Sequence, residues 1–392
     1  MSSRLGWWSG RRHRVNLPAP AVPKAIAMSR IDANQVERAM QWLARWIEEG
    51  RFRSISAEVG VRGEAPVRRA LGVAVPERDQ ATVEDTVFLI ASPTKPVTAL
   101  AIMQLVERGM LDPSQPVSHF LPEFGSQGKD QIRIGHLLTH SSGLPDFVPQ
   151  NEPLRRQHAP LTTFLEHVCR LPLGYRPGTA YQYQSTGFLV LAALVKVVTG
   201  QTLPDFLQEH VLTPLGLRDT SLGAPDAWYA DGKIDHVAQI RLPPERDTDW
   251  GWNSRYWRQL GAPWGGLLAS ASDLGRLCAH LLEIHHGQAG ILRPATLAAM
   301  TANQSRRLGE LAPELWRTRP WGYGWQHAWH SHPRGLGCLL SPGAYGHWGA
   351  TGTLLWIDPQ REAYMVLLTT EPLAWNRHEP LQFSNAVAAA IV

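Results

Sequence analysis

The sequence predicts an α+β fold: one antiparallel sheet built from both ends of the chain, flanked by terminal helices, with a helical subdomain inserted between. Three observations carry this. Strand-like patterns lie near each end, over residues 54–75 and 353–369. Helix-period patterns occupy residues 31–49 and 381–392, where they can cover the sheet. The stretch 116–266 holds helical pieces and long loops, broken by Pro122, Pro145, Pro177, Pro204 and Pro214.

The first helix rests on Val36, Met40, Leu43, Ala44 and Ile47, which recur at helical spacing. Ser54–Val61 is rich in small and β-branched residues, and Val67–Val75 answers it across Arg62-Gly63-Glu64, so a hairpin is predicted. Residues 87–91 form a short apolar run, read as a buried strand or its approach. Residues 96–108 place Leu100, Met103, Gln104 and Val106 on a helix that stops at Gly109. A further helix spans 188–198 and closes at Gly200. The Trp- and Gly-dense stretch 250–264 reads as an ordered loop. Residues 272–284 form a helix with Ser272 or Asp273 near its cap. Thr353–Asp358 and residues 364–369 make a second hairpin through Pro359-Gln360-Arg361. We therefore expect a basic, disordered extension over residues 1–30 and one folded domain over 31–392. Its α/β part is 31–95 and 267–392, and its mostly helical part is 96–266.

Bulk composition excludes several classes. With 392 residues, 44% hydrophobic and 18% charged, the chain can bury a large core and is not a disordered polymer. The net charge of +4 owes much to Arg4, Arg11, Arg12, Arg14 and Lys24 in the extension, and no basic stripe follows. Nucleic acid is therefore not expected as a partner. Cys169, Cys278 and Cys338 are too few and too far apart for a disulfide framework. No run reaches the roughly 18 apolar residues of a membrane span. Gly10-Arg11-Arg12-His13-Arg14 and Ala25-Ile26-Ala27 imitate a secretion signal, but Pro18, Pro20, Pro23 and Lys24 break the apolar segment between them. We expect a cytoplasmic protein whose natural start lies near Met28, with a periplasmic or secreted location as the alternative.

The chemistry lies in three short elements. In Ser92-Pro93-Thr94-Lys95, hydroxyl and amine are three residues apart at a helix start, so both face one pocket. A serine hydroxyl needs a nearby base, and burial or positive charge must depress a lysine before it can serve as one. Tyr183-Gln184-Ser185 supplies a phenol that can relay a proton once an ammonium lies beside it. His347-Trp348-Gly349-Ala350 precedes the last hairpin, where a glycine lets backbone approach substrate closely. We assign the oxyanion hole to the backbone N–H groups of Ser92 and Ala350. His347 is expected to project into the pocket and bind the acyl carbonyl or a carboxylate, and Trp348 to touch substrate. Each element alone also fits an ordinary structural role; it is their combination that points to acyl transfer.

Taken together, these residues resemble the serine β-lactamases of class C type, the penicillin-binding proteins and the esterases that share their fold. The resemblance runs through FLIASPTKPVTALAIMQLVERGMLD, IRIGHLLTHSSGLP, RPGTAYQYQSTGFLVLAALVKVVTG, GGLLASASDLGRL and GHWGATG, in family order. It implies Ser92 as nucleophile, Lys95 as its partner and Tyr183 as general base and acid. His347-Trp348-Gly349 stands where the lactamases carry Lys-Thr-Gly, and Ser185 stands where they carry an Asn. Both departures point to the family VIII carboxylesterases and to small or medium-chain esters. The alternatives are β-lactam, D-amino-acid amide or peptide hydrolysis, and acyl transfer to another acceptor. A non-catalytic sensor is the remote alternative, because intact Ser92, Lys95 and Tyr183 would then have no use.

No cofactor and no metal are expected, and no oligomeric state is implied. No Gly-x-Ser-x-Gly elbow is present. His136 and His140 have helical spacing but lack the adjacent Glu of a zinc protease, and read as structural. His327, His330 and His332, beside Trp325 and Trp329, read as an exposed loop rather than a metal site. Trp250, Trp252, Trp257 and Trp264 suit either an aromatic pocket wall or packing of their own loop.

Overall fold

The structure is a computed structural model that describes residues 30–308, 310–328, 335–372 and 378–392. The basic segment 1–29, together with Trp329, His330 and His332, lies outside the described residues. In chain order the strands are β1 (Ser54–Val61), β2 (Val67–Val75), β3 (Gln80–Ala81), β4 (Phe88–Leu89), β5 (Ser221–Leu222), β6 (Leu267–Ala269), β7 (Gln326–His327), β8 (Tyr345–Gly349), β9 (Thr353–Asp358) and β10 (Ala363–Thr369).

The main sheet has seven strands in the order β3-β2-β1-β10-β9-β8-β7. Both predicted hairpins are present, and they meet edge to edge. β1 pairs antiparallel with β10, with Val59 opposite Met365. The first and last described segments are therefore neighbours, and an Ile31–Ile391 bridge joins them again outside the sheet.

Every residue of β1 is buried, although its sequence alternates in polarity. The strand period of two explains this, because both faces are covered. Ile55, Ala57, Val59 and Val61 face one core with Val36, Met40 and Leu43 of α1 (Ala33–Glu48) and Phe383 and Val387 of the C-terminal helix Glu379–Ala389. The two terminal helices thus cover one face of the sheet only. The other face carries the helix Ala271–His285, whose Leu274, Leu277 and Leu281 share a second core with Leu355, Val366 and Leu368. Here β1 turns Glu58 inward. A side chain on Gly275 would collide with that carboxylate, so the glycine makes the room. Glu58 accepts from Arg68 Nε and Tyr364 OH, each at 2.7 Å, which compensates its burial.

Three local expectations change. The run 87–91 yields the strand β4, but in a separate three-stranded sheet ordered β4-β6-β5. The Trp-rich stretch contains a helix, Arg255–Leu260, because Ser254 accepts from Trp257 N–H at 3.1 Å and caps it. The Ala271–His285 helix begins earlier than expected, because Ser270 rather than Ser272 or Asp273 is its cap. Among the described residues no single helix is long and apolar enough to cross a membrane.

Trp356 ties the first core to the C-terminal helix. It is fully buried, and its indole N–H donates to Ser384 Oγ at 2.9 Å. Trp356→Ala should cost about 3–5 kcal/mol by urea unfolding; a loss under about 1 kcal/mol would show that this face does not carry the fold.

Candidate active site

Ser92 sits where the small sheet meets α2 (Thr94–Glu107). Ile90 N–H donates to Leu267 O at 3.0 Å, which ends the pairing. Ala91 then takes a left-handed backbone with φ 56°. For a non-glycine residue this costs about 1–3 kcal/mol, and the surroundings must hold it. Thr94 does so: its Oγ1 donates to Ala91 O at 2.6 Å and accepts from Leu267 N–H at 3.0 Å. The bend turns Ser92 into a cavity at the helix's positive end.

Lys95 lies one turn further on, and its side chain is almost wholly buried. Its Nζ donates to Ser92 Oγ at 3.2 Å and to Trp264 O at 2.9 Å. Burial lowers its pKa to about 7, against the opposing pull of the Asp146 charge. A large share of the amine is therefore unprotonated near neutrality.

Tyr183 crosses above this pair, with Lys95 Nζ 4.6 Å from its ring centre. Its ring is held from two sides. His140 stacks at 4.5 Å and 27°, and Trp348 at 6.2 Å and 20°. His140 is buried and also left-handed, with φ 60°. Gln184 N–H donates to its Nδ1 at 3.1 Å, so the ring proton sits on Nε2. Burial, with Lys95 and His347 adding to it, holds the His140 pKa well below the ordinary histidine value.

The third element approaches from β8. A side chain on Gly349 would collide with Ile90 O and Thr353 Oγ1. The glycine therefore lets β8 lie against the Ser92 segment. Two hydroxyls complete the seam: Thr351 Oγ1 donates to Leu89 O at 2.7 Å and Thr353 Oγ1 to Ile90 O at 2.6 Å.

The cavity measures about 450 Å³. Ser92, Tyr183, Ser185, Trp348 and Ala350 all line it. Lys95, His347 and Gly349 are not on its wall. Lys95 stands behind Ser92, and Gly349 in the seam. His347 corrects an expectation. It does not project into the cavity, because strand alternation gives that side to Trp348. His347 is fully buried against Tyr183 and Trp321, with ring centres 6.1 and 5.6 Å away. Its Nδ1–H donates to Trp348 O at 2.7 Å, and burial lowers its pKa to about 3. A neutral ring results, so it brings no positive charge to the site.

Sequence reasoning gave three residues no role in the site. Asp146 lines the cavity, and its backbone carbonyl accepts from Ser185 N–H at 3.1 Å and Thr186 N–H at 3.2 Å. Burial raises its carboxyl pKa, while Lys95 and Ser185 pull it down. Arg155 lines the wall, and His140 supports Tyr183. Asp146 falls one residue past the stretch IRIGHLLTHSSGLP, and the His136 and His140 spacing pointed only to a structural role. The tryptophans do both things considered. Trp252, Trp257 and Trp264 line the cavity, whereas Trp250 stacks on Arg155 and Arg156 at 5.2 Å. Among the described residues no group of three or more His, Cys, Asp or Glu could hold a metal ion.

A hydroxyl, a buried amine with a depressed pKa and a stacked phenol, all beside one cavity, form a set able to carry acyl transfer through a serine. Comparison with known proteins agrees with that class. Residues 33–383 match the beta-lactamase family, and the chain belongs to it. It is 31% identical over 359 residues to the esterase EstB of Burkholderia gladioli, covering 83% of this chain and 87% of that protein. Its fold is shared by a penicillin-binding protein homologue from Caulobacter crescentus, with a TM-score of 0.75, 22% identity, and 91% and 98% of the two chains covered. A family VIII carboxylesterase superposes with a TM-score of 0.74 at 20% identity, over 92% of this chain and 98% of that one.

Gly349→Ala tests the seam. It should lower kcat/KM by about a hundredfold, since small displacements of a reacting group cost that much. Activity within about twofold of wild type would show that β8 can move aside without disturbing Ser92.

Proposed function

We propose that the protein is a carboxylesterase that forms an acyl-enzyme on Ser92 and acts on small or medium-chain esters. The observation that carries this is the Lys95 Nζ contact with Ser92 Oγ at 3.2 Å, from an amine whose pKa burial brings to about 7. The aromatic cavity wall and the kinship with the esterase EstB support the substrate class.

In this reading Ser92 Oγ attacks the ester carbonyl carbon while its proton passes to unprotonated Lys95. The N–H groups of Ser92 and Ala350 receive the oxyanion. Tyr183, above the Lys95 amine, hands a proton to the departing alkoxide as the carbon–oxygen bond breaks. Water then attacks the acyl carbonyl, gives its proton to the same pair, and Ser92 regains one as the acid leaves. With a neutral His347 buried behind the wall and Ser185 on it, the site lacks the lysine and the asparagine amide that the resemblance associates with β-lactam turnover. Amide hydrolysis and acyl transfer use the same acyl-enzyme and remain the second reading. The first proposes a small-molecule ester as partner.

Parallel assays with p-nitrophenyl butyrate and a chromogenic cephalosporin test this. Butyrate should turn over at least about a hundredfold faster in kcat/KM, and Ser92→Ala should lose about a thousandfold or more on both. Equal rates would favour the lactamase reading, and activity surviving in Ser92→Ala would exclude the nucleophile.

The pH profile follows from Lys95. The base must be unprotonated, so kcat/KM should rise with pH and level off above about 7. A flat profile from about pH 5 to pH 9 would remove Lys95 from the proton path.

Lys95→Met should abolish turnover and raise Tm by about 2–4 °C, because a desolvated amine is replaced by an apolar chain of similar length. A lower Tm would mean that the amine's two hydrogen bonds outweigh its desolvation.

A further inference from the structure

Among the described residues the cavity wall carries two charged side chains, Asp146 and Arg155. Asp146 is occupied with Ser185 and lies in the field of Lys95. Arg155 makes no ion pair among the described residues, and Glu152, which is itself paired with Arg156, reaches it only as a field. Arg155 sits on the short helix Asn151–Arg156, beside an arginine in the opposite situation. Arg156 is exposed and pairs with Glu152 at 2.6 Å. Arg155 turns inward, half-buried, and forms no ion pair among the described residues. Its guanidinium lies 4.2 Å from the Trp257 ring centre and 5.2 Å from that of Trp250. Its one described hydrogen bond, Nη2 to Trp250 O at 3.2 Å, is to a neutral carbonyl.

This is an expensive arrangement for a purely structural residue. Aromatic faces attract a guanidinium but do not neutralise it. They also exclude the water that would otherwise solvate it. The remaining wall is mostly apolar, with Phe147, Trp252, Trp264, Leu354 and Leu381. A cation with no anion bonded to it, at the edge of such a cavity, draws one, and the planar guanidinium matches a carboxylate. The two tryptophans would fix its plane in advance, which lowers the ordering cost of binding.

We propose that Arg155 is a specificity-determining residue, and that the preferred esters carry a carboxylate on the part of the substrate lying in this cavity: half-esters of dicarboxylic acids or esters of comparable charge. This rests on the esterase reading given above. It deepens that reading by naming the charge of the substrate. Arg155 takes no part in the bond changes at Ser92.

The test compares mono-p-nitrophenyl adipate with p-nitrophenyl methyl adipate, which differ essentially in one charge, and reads the ratio of their kcat/KM values after subtracting spontaneous hydrolysis. Wild type should favour the anionic ester by about tenfold or more, as a charge-assisted contact in a dry site implies. Arg155→Met should reduce that ratio by about tenfold or more, mainly through KM for the anion, and Arg155→Glu should invert it. Arg155→Lys should keep part of the preference. A residue that only packs the tryptophan loop behaves differently: both esters then decline together in Arg155→Met and the ratio stays within about twofold. That outcome overturns the proposal. So does a wild-type ratio at or below one while p-nitrophenyl butyrate is hydrolysed in a Ser92-dependent way, which leaves the esterase reading standing. Silence of the wild-type protein on all three esters would overturn both together.

Discussion

The burial of one amine organises this structure. Lys95 Nζ is held between Ser92 Oγ and Trp264 O, with water excluded. Removing an ammonium from water is costly unless it loses its proton or finds good partners. Here it has two neutral acceptors and a more distant carboxyl, Asp146, and the balance leaves its pKa near 7. The segments around it hold it there. Thr94 and Thr353 bond the carbonyls of Ala91 and Ile90, and Thr98 Oγ1 bonds Pro263 O at 2.7 Å, next to the Trp264 carbonyl. Hydroxyl-to-carbonyl bonds inside an apolar core are short and directional, so they fix the strand end, the helix start and the tryptophan segment in one geometry.

The same low dielectric settles the neighbouring rings. His140 and His347 are both buried near a potential cation, and both stay neutral for that reason. Each has its tautomer set by a single backbone partner, the N–H of Gln184 for one and the carbonyl of Trp348 for the other. Neutral rings on either side of Tyr183 can pack against it without competing for its proton. The site is thus a small polar island, one hydroxyl, one amine and one phenol deep, set in aromatic surroundings. Arg155 is the exception, a charge with no ion-pair partner among the described residues, on a mostly apolar wall.

The outer architecture serves the same end. The sheet brings β8 beside the β4–α2 junction while β10 pairs with β1 and the first and last described segments meet at Ile31 and Ile391. Helices on both faces then seal the sheet, and even an acidic strand residue, Glu58, is accommodated by a missing side chain at Gly275 and two donors. Strain at Ala91 and His140 is tolerated because this frame over-determines their positions.

The sequence by itself determined the features that local physics controls. Both hairpins follow from alternation and turn residues, and α2 and the Thr186–Thr199 helix follow from period and capping. The Ser92 to Lys95 spacing puts hydroxyl and amine on one helical face wherever that helix lies, and Gly349 announced a close backbone approach. The tertiary structure alone decided the rest. It placed β4 in a separate small sheet, put the Ala271–His285 helix on the second sheet face, turned His347 inward and Trp348 outward, and brought Asp146 and Arg155 to the same wall as Ser92. These depend on contacts between segments tens to hundreds of residues apart, whose energies come from shared burial and from which charges are left without a partner, and neither quantity is written in a local pattern.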